Sequence, residues 1–523
     1  MRCTGPRPAQ RREKGKRTLS QSLVLALDQG TTGSTALLVD RNLCLRGKGY
    51  REFRQSFPRP GYVEHDPNDL WTSLVDAAHE ALRTAGASCS DVAAVGLTNQ
   101  RETTLLWDRE TGAPVHPAIV WQCRRSAGIC ENWRAAGLGV RVREKTGLEL
   151  DAYFSASKIR WLLDHVPGLE KRARRGQIAF GTVDSWLLWK LTQGRVHATD
   201  TTNASRTMLF NIHTLQWDPE LLAAFNLPPE LLPVVQPSGS VFGRATSPEL
   251  GGDIPVAGVF GDQHAALFGQ GCWSRGLAKN TYGTGCFLVL NTGCEAVASS
   301  HNLLTTLAWQ RAGEPAQYAL EGSVFSAGSA VQWLRDGLGI IREAAETDSL
   351  ARSVSDNGGV YLVPAFSGLG APYWDMYARG TVVGLTRDSS RAHLARAVLE
   401  AVAWQTRDLL EAMRLDVGHE PGALRVDGGM VANDFLMQFQ ADALGVPVVR
   451  PVLTESTALG AGLLAGLTVG VWSDPRDIAQ RMKVDRVFEP HWSADRRESQ
   501  YAQWGRAVER SRRWVLREEE VKG

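Results

Sequence analysis

Short apolar runs that end in polar, glycine-rich turns recur along this chain and predict its strands. The first run, at 23–27, leads through a turn at 28–35 into a second apolar run at 36–39. Runs of this length bounded by turn residues are typical of buried β-strands. We therefore predict a strand, a tight turn and a second strand over 23–40, with no helix after the turn.

The turn at 28–35 contains two glycines and four hydroxyl side chains. It matches neither a G-x-x-x-x-G-K-[ST] phosphate loop nor a G-x-G-x-x-G dinucleotide loop. Its backbone N–H groups are nevertheless suited to phosphate oxygens, and Asp28 is suited to a hydrated Mg²⁺. The alternative interpretation is an ordinary polar hairpin turn.

The next segment predicts a third strand, a helix and a buried strand. The strand covers 43–53, and Asp66 precedes a helix whose apolar residues recur at helical spacing. The buried strand at 92–97 ends in Arg101 and Glu102. Charged side chains at strand ends lie where open α/β sheets bind ligands, and this pair can hold polyol hydroxyls. The alternative is a surface ion pair.

The middle of the chain has weaker patterns. We predict a strand-like run with a polar end at 119–125, a capped helix at 153–165 and an amphipathic helix at 184–191. The segments 203–206 and 228–237 are predicted to be loops.

The opening pattern returns in the second half. An apolar run at 254–260 ends in Asp262, and a Gly-Thr-Gly turn around Thr284 precedes another apolar run. A strand at 424–427 ends in Asp-Gly-Gly before a helix, whose N-terminus can face an anion or a ribose. This repetition predicts two related α/β domains with a nucleotide between them. The helix at 393–413 is predicted to pack into a core.

Composition narrows the class of protein. The 523 residues require two or more large domains, and the net charge of +2 does not favour nucleic-acid binding. No apolar run is long enough to span a membrane. The eight cysteines are scattered, so we expect reduced thiols in a cytoplasmic protein. Residues 1–22 are strongly basic and predict a disordered tail.

Several of these segments together resemble the FGGY family of carbohydrate kinases, and within it the bacterial members that act on glycerol. The matching segments are 26–32, 98–104, 119–125, 278–287 and 364–374, with signature-like stretches at 153–165 and 380–400. The resemblance implies two ribonuclease-H-like (actin-like ATPase) domains with the active site in the cleft between them. The implied divisions are a basic tail at 1–22, an N-terminal domain at 23–270 and a C-terminal domain at 271–515.

The resemblance also implies roles for individual residues. The residues implied to hold the hydroxyls of glycerol are Arg101, Glu102, Tyr153, Asp262 and Gln263, and those implied to pack on its carbons are Trp121 and Phe287. The residues implied to hold the nucleotide are Thr31, Thr32, Gly33, Thr284, Gly328, Gln332, Gly429 and Asn433. Asp28 would lie near Mg²⁺.

The implied activity is ATP-dependent phosphorylation of glycerol to sn-glycerol 3-phosphate, a step of glycerol uptake and catabolism. Asp262 would accept the proton of a primary hydroxyl during direct in-line transfer. The cleft would close to exclude water as a competing acceptor. The implied partners are glycerol and ATP with Mg²⁺, and the implied assembly is a homodimer or homotetramer.

The chain departs from the family pattern at several places. It has Gly33-Ser34-Thr35 where the family commonly has Ser-Ser-Arg, which removes a bidentate phosphate donor. We expect weaker nucleotide binding or slower transfer from this change. The loop at 247–253 lacks the basic residue that binds fructose bisphosphate in some relatives, and 238–242 lacks a phosphorylatable histidine. The segment 490–495 does not match the family's protein-binding segment.

Three other functions remain open from sequence. The first is a kinase for another small polyol or sugar on the same fold, although the bulky Trp121 favours a small triol. The second is a nucleotide-switched binding protein, which actin-like folds also support. The third is a degenerate enzyme that acts as a regulator, for which Thr35 is the only support. We expect His264 and the cysteines Cys123, Cys130, Cys272 and Cys286 to be structural.

Overall fold

The computed structural model describes residues 23–515, so the predicted basic tail at 1–22 lies outside the described residues. The strands are β1 (Leu23–Gln29), β2 (Gly33–Val39), β3 (Leu45–Glu52), β4 (Glu64–His65), β5 (Val92–Asn99), β6 (Leu105–Asp108), β7 (Ala118–Ile119), β8 (Ile178–Gly181), β9 (Ala198–Asp200), β10 (Phe210–Asn211), β11 (Gln216–Trp217), β12 (Val234–Gln236), β13 (Gly243–Ala245), β14 (Ile254–Gly261), β15 (Ala278–Tyr282), β16 (Cys286–Gly293), β17 (Leu304–Trp309), β18 (Gln317–Val324), β19 (Tyr361–Val363), β20 (Thr381–Val383), β21 (Leu424–Asp427), β22 (Val448–Pro451) and β23 (Val484–Phe488).

The helices fill the connections between these strands. They are α1 (Pro67–Ala85), α2 (Ala127–Ala135), α3 (Gly139–Thr146), α4 (Ser155–His165), α5 (Leu169–Ala173), α6 (Val183–Leu191), α7 (Thr201–Ala204), α8 (Pro219–Ala224), α9 (Asp262–Gly269), α10 (Gly328–Gln332), α11 (Glu346–Arg352), α12 (Arg391–Val417), α13 (Asp434–Leu444), α14 (Ser456–Thr468), α15 (Pro475–Ala479) and α16 (Ala494–Ser511).

Two large sheets share the order of five of their strands. The first sheet runs β13-β14-β5-β1-β2-β3, and the second runs β17-β18-β16-β15-β21-β22-β23. In each sheet, three neighbouring strands are antiparallel (β1, β2 and β3; β15, β16 and β18), and two further strands are parallel to the first of them (β5 and β14; β21 and β22). This repeated order is the ribonuclease-H-like arrangement, and it confirms the predicted pair of related α/β halves.

The first hairpin has the predicted form. Residues 24–27 of β1 are all buried because this central strand is covered on both faces, which explains its unbroken apolar run. The β1–β2 register places Asp28 opposite Thr35 and Gln29 opposite Ser34. No helix follows the turn, as expected.

Local sequence features explain where helix α1 begins and how closely it packs. The Asp66 side chain accepts a hydrogen bond from the Asn68 N–H, and Pro67 occupies the first helical position. The helix packs on β2 and β3, where Gly47 and Gly49 permit close contact: a Cβ at either glycine would lie within about 2 Å of a carbonyl oxygen of α1.

Helices α9 and α14 connect the two halves. Helix α14 lies in sequence between β22 and β23 of the second sheet but packs against β1, β5 and β14 of the first, whereas α9 also contacts β15 and β16 of the second. The two helices approach backbone to backbone, because a Cβ at Gly460 would lie 1.9 Å from the Ala265 carbonyl oxygen. A Cβ at Gly269 would likewise lie 2.0 Å from the Ser456 carbonyl oxygen. Small residues are therefore required at this crossing.

Four local predictions are corrected by tertiary structure. The run at 119–125 contributes only the two-residue strand β7 and then turns. Helix α6 is buried around most of its surface rather than amphipathic. Residue 203 lies in the short helix α7, and the loop at 228–237 contains β12, which pairs with β9. Long helix α12 packs into the core as predicted. Within residues 23–515, no helix is long and apolar enough to cross a membrane.

Candidate functional site

The predicted site residues converge at one edge of the first sheet. Strands β1, β5 and β14 are parallel, so their carboxyl ends lie together. Asp28 lies at the end of β1, Arg101 and Glu102 follow β5, and Asp262 follows β14 directly. Strand β18 of the second sheet approaches this edge and contributes Glu321.

A buried ionic network lies at the centre of the site. Arg101 binds Glu321 in a bidentate manner, with Nη1–Oε2 and Nη2–Oε1 distances of 2.5 and 2.9 Å. Its Nε lies 3.0 Å from the Asp262 Oδ1. Arg206 Nε donates to Glu102 Oε1 at 2.7 Å, and its Nη2 donates to Glu321 Oε1 at 3.0 Å. The predicted alternative of a surface pair between Arg101 and Glu102 is wrong, because both side chains are buried and each binds other partners.

These contacts fix the charge states of the buried groups. Burial alone would raise the pKa of Glu321, but Arg101 and Arg206 outweigh it and hold that pKa well below its usual range. Burial alone would lower the pKa of Arg101, yet Glu321, Glu102 and Asp262 raise it well above its usual value. Burial lowers the pKa of the nearby His264 well below its usual value, and the positive charge of Arg101 adds to this effect.

Asp262 is the first residue of α9, and its side chain remains 27% exposed. Its Oδ1 accepts a hydrogen bond of 2.7 Å from the Gln263 N–H in addition to the contact with Arg101. The preceding Gly261 leaves room for Arg101, since a Cβ there would lie 2.7 Å from the arginine Cδ. The carboxylate is therefore fixed in orientation and still accessible.

Gln263 is held by a buried lysine that the sequence analysis did not select. Lys279 Nζ donates to Gln263 Oε1 at 2.5 Å, to Thr281 Oγ1 at 2.8 Å and to the Phe287 carbonyl oxygen at 3.2 Å. Burial lowers the pKa of Lys279 to about 8, although Asp427 and Asp262 oppose that effect. This lysine connects two of the predicted substrate-binding residues.

Aromatic side chains form another part of the site. The rings of Trp121 and Tyr153 meet edge to face, with centroids 5.6 Å apart. The indole Nε1 of Trp121 donates to the Thr31 hydroxyl at 3.0 Å, so this wall is tied to the first hairpin. Phe287 lies half-buried at the start of β16.

Asp28 has the features of a cation ligand. Its Oδ1 is buried and has no hydrogen-bond partner within residues 23–515. Burial and the neighbouring Asp262 charge raise the pKa of Asp28 to about 8. An unpaired carboxylate in such a place is costly, and Mg²⁺ typically takes one or two carboxylates and keeps several waters. The residues present therefore fit a magnesium ion.

The predicted nucleotide-binding residues fall into two groups. Thr31, Thr32 and Gly33 form the first hairpin, and Thr284 lies exposed in the second. The Ala327 N–H donates to the Thr284 carbonyl oxygen, which brings that hairpin to Gly328 at the start of α10.

The remaining three are Gln332 at the end of α10, Gly429 just after β21 and Asn433 at the start of α13. Gln332 and Gly429 are exposed. The Asn433 side chain caps α13 by accepting from the Leu436 N–H, and it donates to the Thr347 hydroxyl. Asn433 is therefore partly committed to structure.

Besides Lys279, the structure adds two further residues that sequence reasoning missed, Arg206 and Glu321. Arg206 lies just after α7 and is fully buried, and Glu321 lies within the buried strand β18. A lone carboxylate inside the apolar run at 318–324 was the available signal, because a buried charge requires a partner.

Comparisons with known proteins agree with this arrangement. The N-terminal domain model of the FGGY family of carbohydrate kinases matches residues 23–269, and the C-terminal domain model matches residues 278–469. This chain belongs to the FGGY family of carbohydrate kinases. The carbohydrate kinase is 57% identical to the glycerol kinase of Symbiobacterium thermophilum over 497 residues, which are 95% of this chain and all of that relative.

A second relative and one solved structure agree with the assignment of this carbohydrate kinase to the family. Glycerol kinase 2 of Thermotoga maritima is 56% identical over 494 residues, covering 94% of this chain and 99% of the relative. The crystal structure of Plasmodium falciparum glycerol kinase with ADP superposes with a TM-score of 0.88 at 35% identity, covering 94% of this chain and 98% of the other.

The structure shows what surrounds Gly33, where the sequence analysis expects a departure from the family pattern. A Cβ at Gly33 would lie 2.7 Å from the Tyr50 hydroxyl oxygen and 2.8 Å from two of its ring carbons. A serine at this position would therefore require Tyr50 to move. Thr35 is half-buried and faces Asp28 across the β1–β2 ladder.

Proposed function

We propose that this protein transfers the γ-phosphoryl group of ATP to glycerol and forms sn-glycerol 3-phosphate. The observation that carries the proposal is the Asp262 carboxylate, which is accessible and held 3.0 Å from the buried Arg101 Nε. Full-length identity of 57% to a glycerol kinase supports glycerol as the acceptor. An accessible carboxylate held beside a buried arginine is expected of a site that positions a small polyol next to a general base.

The polyol would be bound by charged and aromatic groups together. Arg101 donates to hydroxyl oxygens, and Glu102 accepts from hydroxyl hydrogens. Tyr153 and Gln263 complete the polar contacts, while Trp121 and Phe287 pack against the carbon chain. The edge-to-face pair of Trp121 and Tyr153 would narrow the acceptor site, which favours a three-carbon acceptor over a sugar.

The chemical step is an in-line displacement at the γ-phosphorus. The primary hydroxyl oxygen of glycerol forms a bond to phosphorus as the bond to the β,γ-bridging oxygen breaks, and ADP leaves with that oxygen. The hydroxyl proton passes to the Asp262 carboxylate. The contacts of Asp262 with Arg101 and the Gln263 N–H hold the carboxylate in position for this transfer.

The nucleotide would lie between the two hairpins. Thr31, Thr32, Gly33 and Thr284 would bind the phosphates, and Gly328, Gln332, Gly429 and Asn433 would bind the nucleoside. Asp28 would hold Mg²⁺, which would neutralise charge on the transferred phosphate. We also propose domains at 23–270 and 271–515, a cytoplasmic location and a dimeric or tetrameric assembly.

A kinase for another small polyol or sugar is the second candidate, because FGGY proteins share one fold. A coupled ADP-release assay with Mg-ATP and glycerol, dihydroxyacetone, xylulose, ribulose, gluconate or no acceptor distinguishes the two. Turnover that depends on glycerol supports the proposal. Preference for a sugar would overturn the pocket argument, and ATP binding without acceptor-dependent turnover would favour a nucleotide-switched binding protein.

A further inference from the structure

We propose that Glu321 and Arg206 are positioning residues for the acceptor site: Glu321 fixes Arg101, and Arg206 fixes Glu102. This inference rests on the proposed function. Neither residue is assigned a contact with glycerol, and both act through a neighbour that is. The consequence is that the second half of the chain, through β18, orients acceptor-binding groups that belong to the first half.

The geometry leaves Arg101 with one well-defined orientation. Its two terminal nitrogens both bind the Glu321 carboxylate, and its Nε lies beside Asp262. Contacts at all three nitrogens fix both the plane of the guanidinium and its rotation within that plane. The planar guanidinium recognises its hydrogen-bond partners most selectively when its orientation is fixed in advance. Among the described residues, the carboxylates nearest to Arg101 without Glu321 would be that of the proposed base Asp262, 3.0 Å from Nε, and that of Glu102, 3.9 Å away.

Arg206 performs the same task for Glu102. The Glu102 backbone has a φ of 59°, a conformation that residues other than glycine seldom adopt. Its carboxylate is held by Arg206 Nε at 2.7 Å, and Arg206 in turn binds Glu321 at 3.0 Å. The two acceptor-binding side chains are therefore oriented by one chain of ion pairs, Arg101–Glu321–Arg206–Glu102.

Because the four side chains of these ion pairs are buried, the loss of any one partner should have a large effect. The four side chains are at most 2% exposed, so water cannot replace a lost partner. Glu321 reaches the network from the second sheet, whereas the other three residues come from the first half. Any relative movement of the two halves that separates β18 from Arg101 would disorder the acceptor site. Acceptor affinity is thereby coupled to the arrangement of the two halves.

The test compares Glu321→Gln with wild type in steady-state kinetics. Gln keeps the shape of Glu321 but removes the charge, so we expect the glycerol KM to rise at least tenfold while the ATP KM changes by less than twofold. Glu400→Gln is the matched control, because Glu400 is also buried and paired with an arginine, Arg396 at 2.7 Å, but lies outside the site. The control is expected to leave the glycerol KM unchanged. Parallel increases in both KM values in Glu321→Gln would indicate a merely structural role and overturn the inference.

A double-mutant cycle tests whether Glu321 acts through Arg101. Glu321→Gln should lower kcat/KM for glycerol by a smaller factor in the Arg101→Gln background than in wild type, because only its effect through Arg206 and Glu102 remains. Multiplicative losses would contradict the inference. If Glu321→Gln does not fold, Glu321→Asp replaces it, because the shorter carboxylate withdraws from Arg101 without loss of charge. An unchanged glycerol KM in Glu321→Asp would overturn the inference. Absence of glycerol turnover in wild type would instead overturn the proposed function.

Discussion

The indole Nε1 of Trp121 donates a 3.0 Å hydrogen bond to the Thr31 hydroxyl. Trp121 belongs to the proposed acceptor pocket, and Thr31 belongs to the first hairpin, which is proposed to bind phosphate. This hydrogen bond joins the two proposed substrate sites directly, because Trp121 of the acceptor site binds Thr31 of the phosphate site. Loss of this hydrogen bond should therefore change the ATP KM more than the glycerol KM.

Trp121→Phe removes the hydrogen-bond donor and keeps an aromatic face. We expect the ATP KM to rise about threefold, because a single hydrogen bond contributes about 0.5–1.5 kcal/mol, while the glycerol KM changes less. Steady-state kinetics with each substrate varied in turn measures both values. Trp273→Phe is the control, since Trp273 makes a similar bond to the Phe268 carbonyl oxygen and is not part of the proposed site. An unchanged ATP KM in Trp121→Phe would contradict the link.

Asp28→Asn should increase the stability of the protein and decrease its activity. The substitution removes a carboxylate whose buried Oδ1 has no hydrogen-bond partner among the described residues. In the absence of Mg²⁺ the variant should therefore unfold at a higher temperature than wild type. Its kcat should fall about 100-fold or more, because charge stabilisation at the transferred phosphate is lost. Thermal unfolding and kcat against free Mg²⁺ measure the two effects. Full activity in Asp28→Asn would refute the assignment of this residue to magnesium.

Thr35→Arg should restore a phosphate contact that this chain lacks. Thr35 faces Asp28 across the hairpin, so an arginine there would lie beside the proposed phosphate site. We expect the ATP KM to fall about threefold to tenfold, as a charge-assisted hydrogen bond permits. Thr35→Gln supplies a long polar side chain without the charge and should not have this effect. A higher ATP KM in Thr35→Arg would show that the surrounding loop does not admit the longer side chain.

The stability of the second half should depend on the ionisation of Asp408. This buried carboxylate accepts hydrogen bonds from Tyr501 and Trp504, and burial raises its pKa to about 7. A raised folded-state pKa gives stability that is present below the unfolded value of about 3.8 and is lost as the pH rises towards 7. Wild type should therefore lose about 2–3 kcal/mol between pH 5 and pH 8 relative to Asp408→Asn.

Denaturant unfolding of wild type and Asp408→Asn at several pH values measures this difference. The comparison between the two proteins removes the contributions of all other titrating groups. A difference in unfolding free energy that stays constant from pH 5 to pH 8 would show that Asp408 is ionised throughout this range.

Much of the fold followed from local patterns, because the central strands are short apolar runs that end in polar turns. The edge that carries Asp28, Arg101 and Asp262 was predictable for the same reason, since parallel strands end together. Glu321 and Arg206 were not, because their partners are more than 100 residues away in sequence. Pairing between distant charges leaves no periodic signal. The run at 119–125 was misread as a strand because Ile119, Val120 and Cys123 are buried, as in a strand, although the chain turns after β7.

Asp262→Asn kinetics at saturating glycerol and Mg-ATP test the central claim most directly. The amide keeps the shape of the side chain but cannot take the proton of the attacking hydroxyl. We predict that kcat falls about 10²–10⁴-fold, while calorimetry still detects glycerol binding. A variant that binds glycerol and retains a kcat within a few fold of wild type would show that Asp262 is not the base.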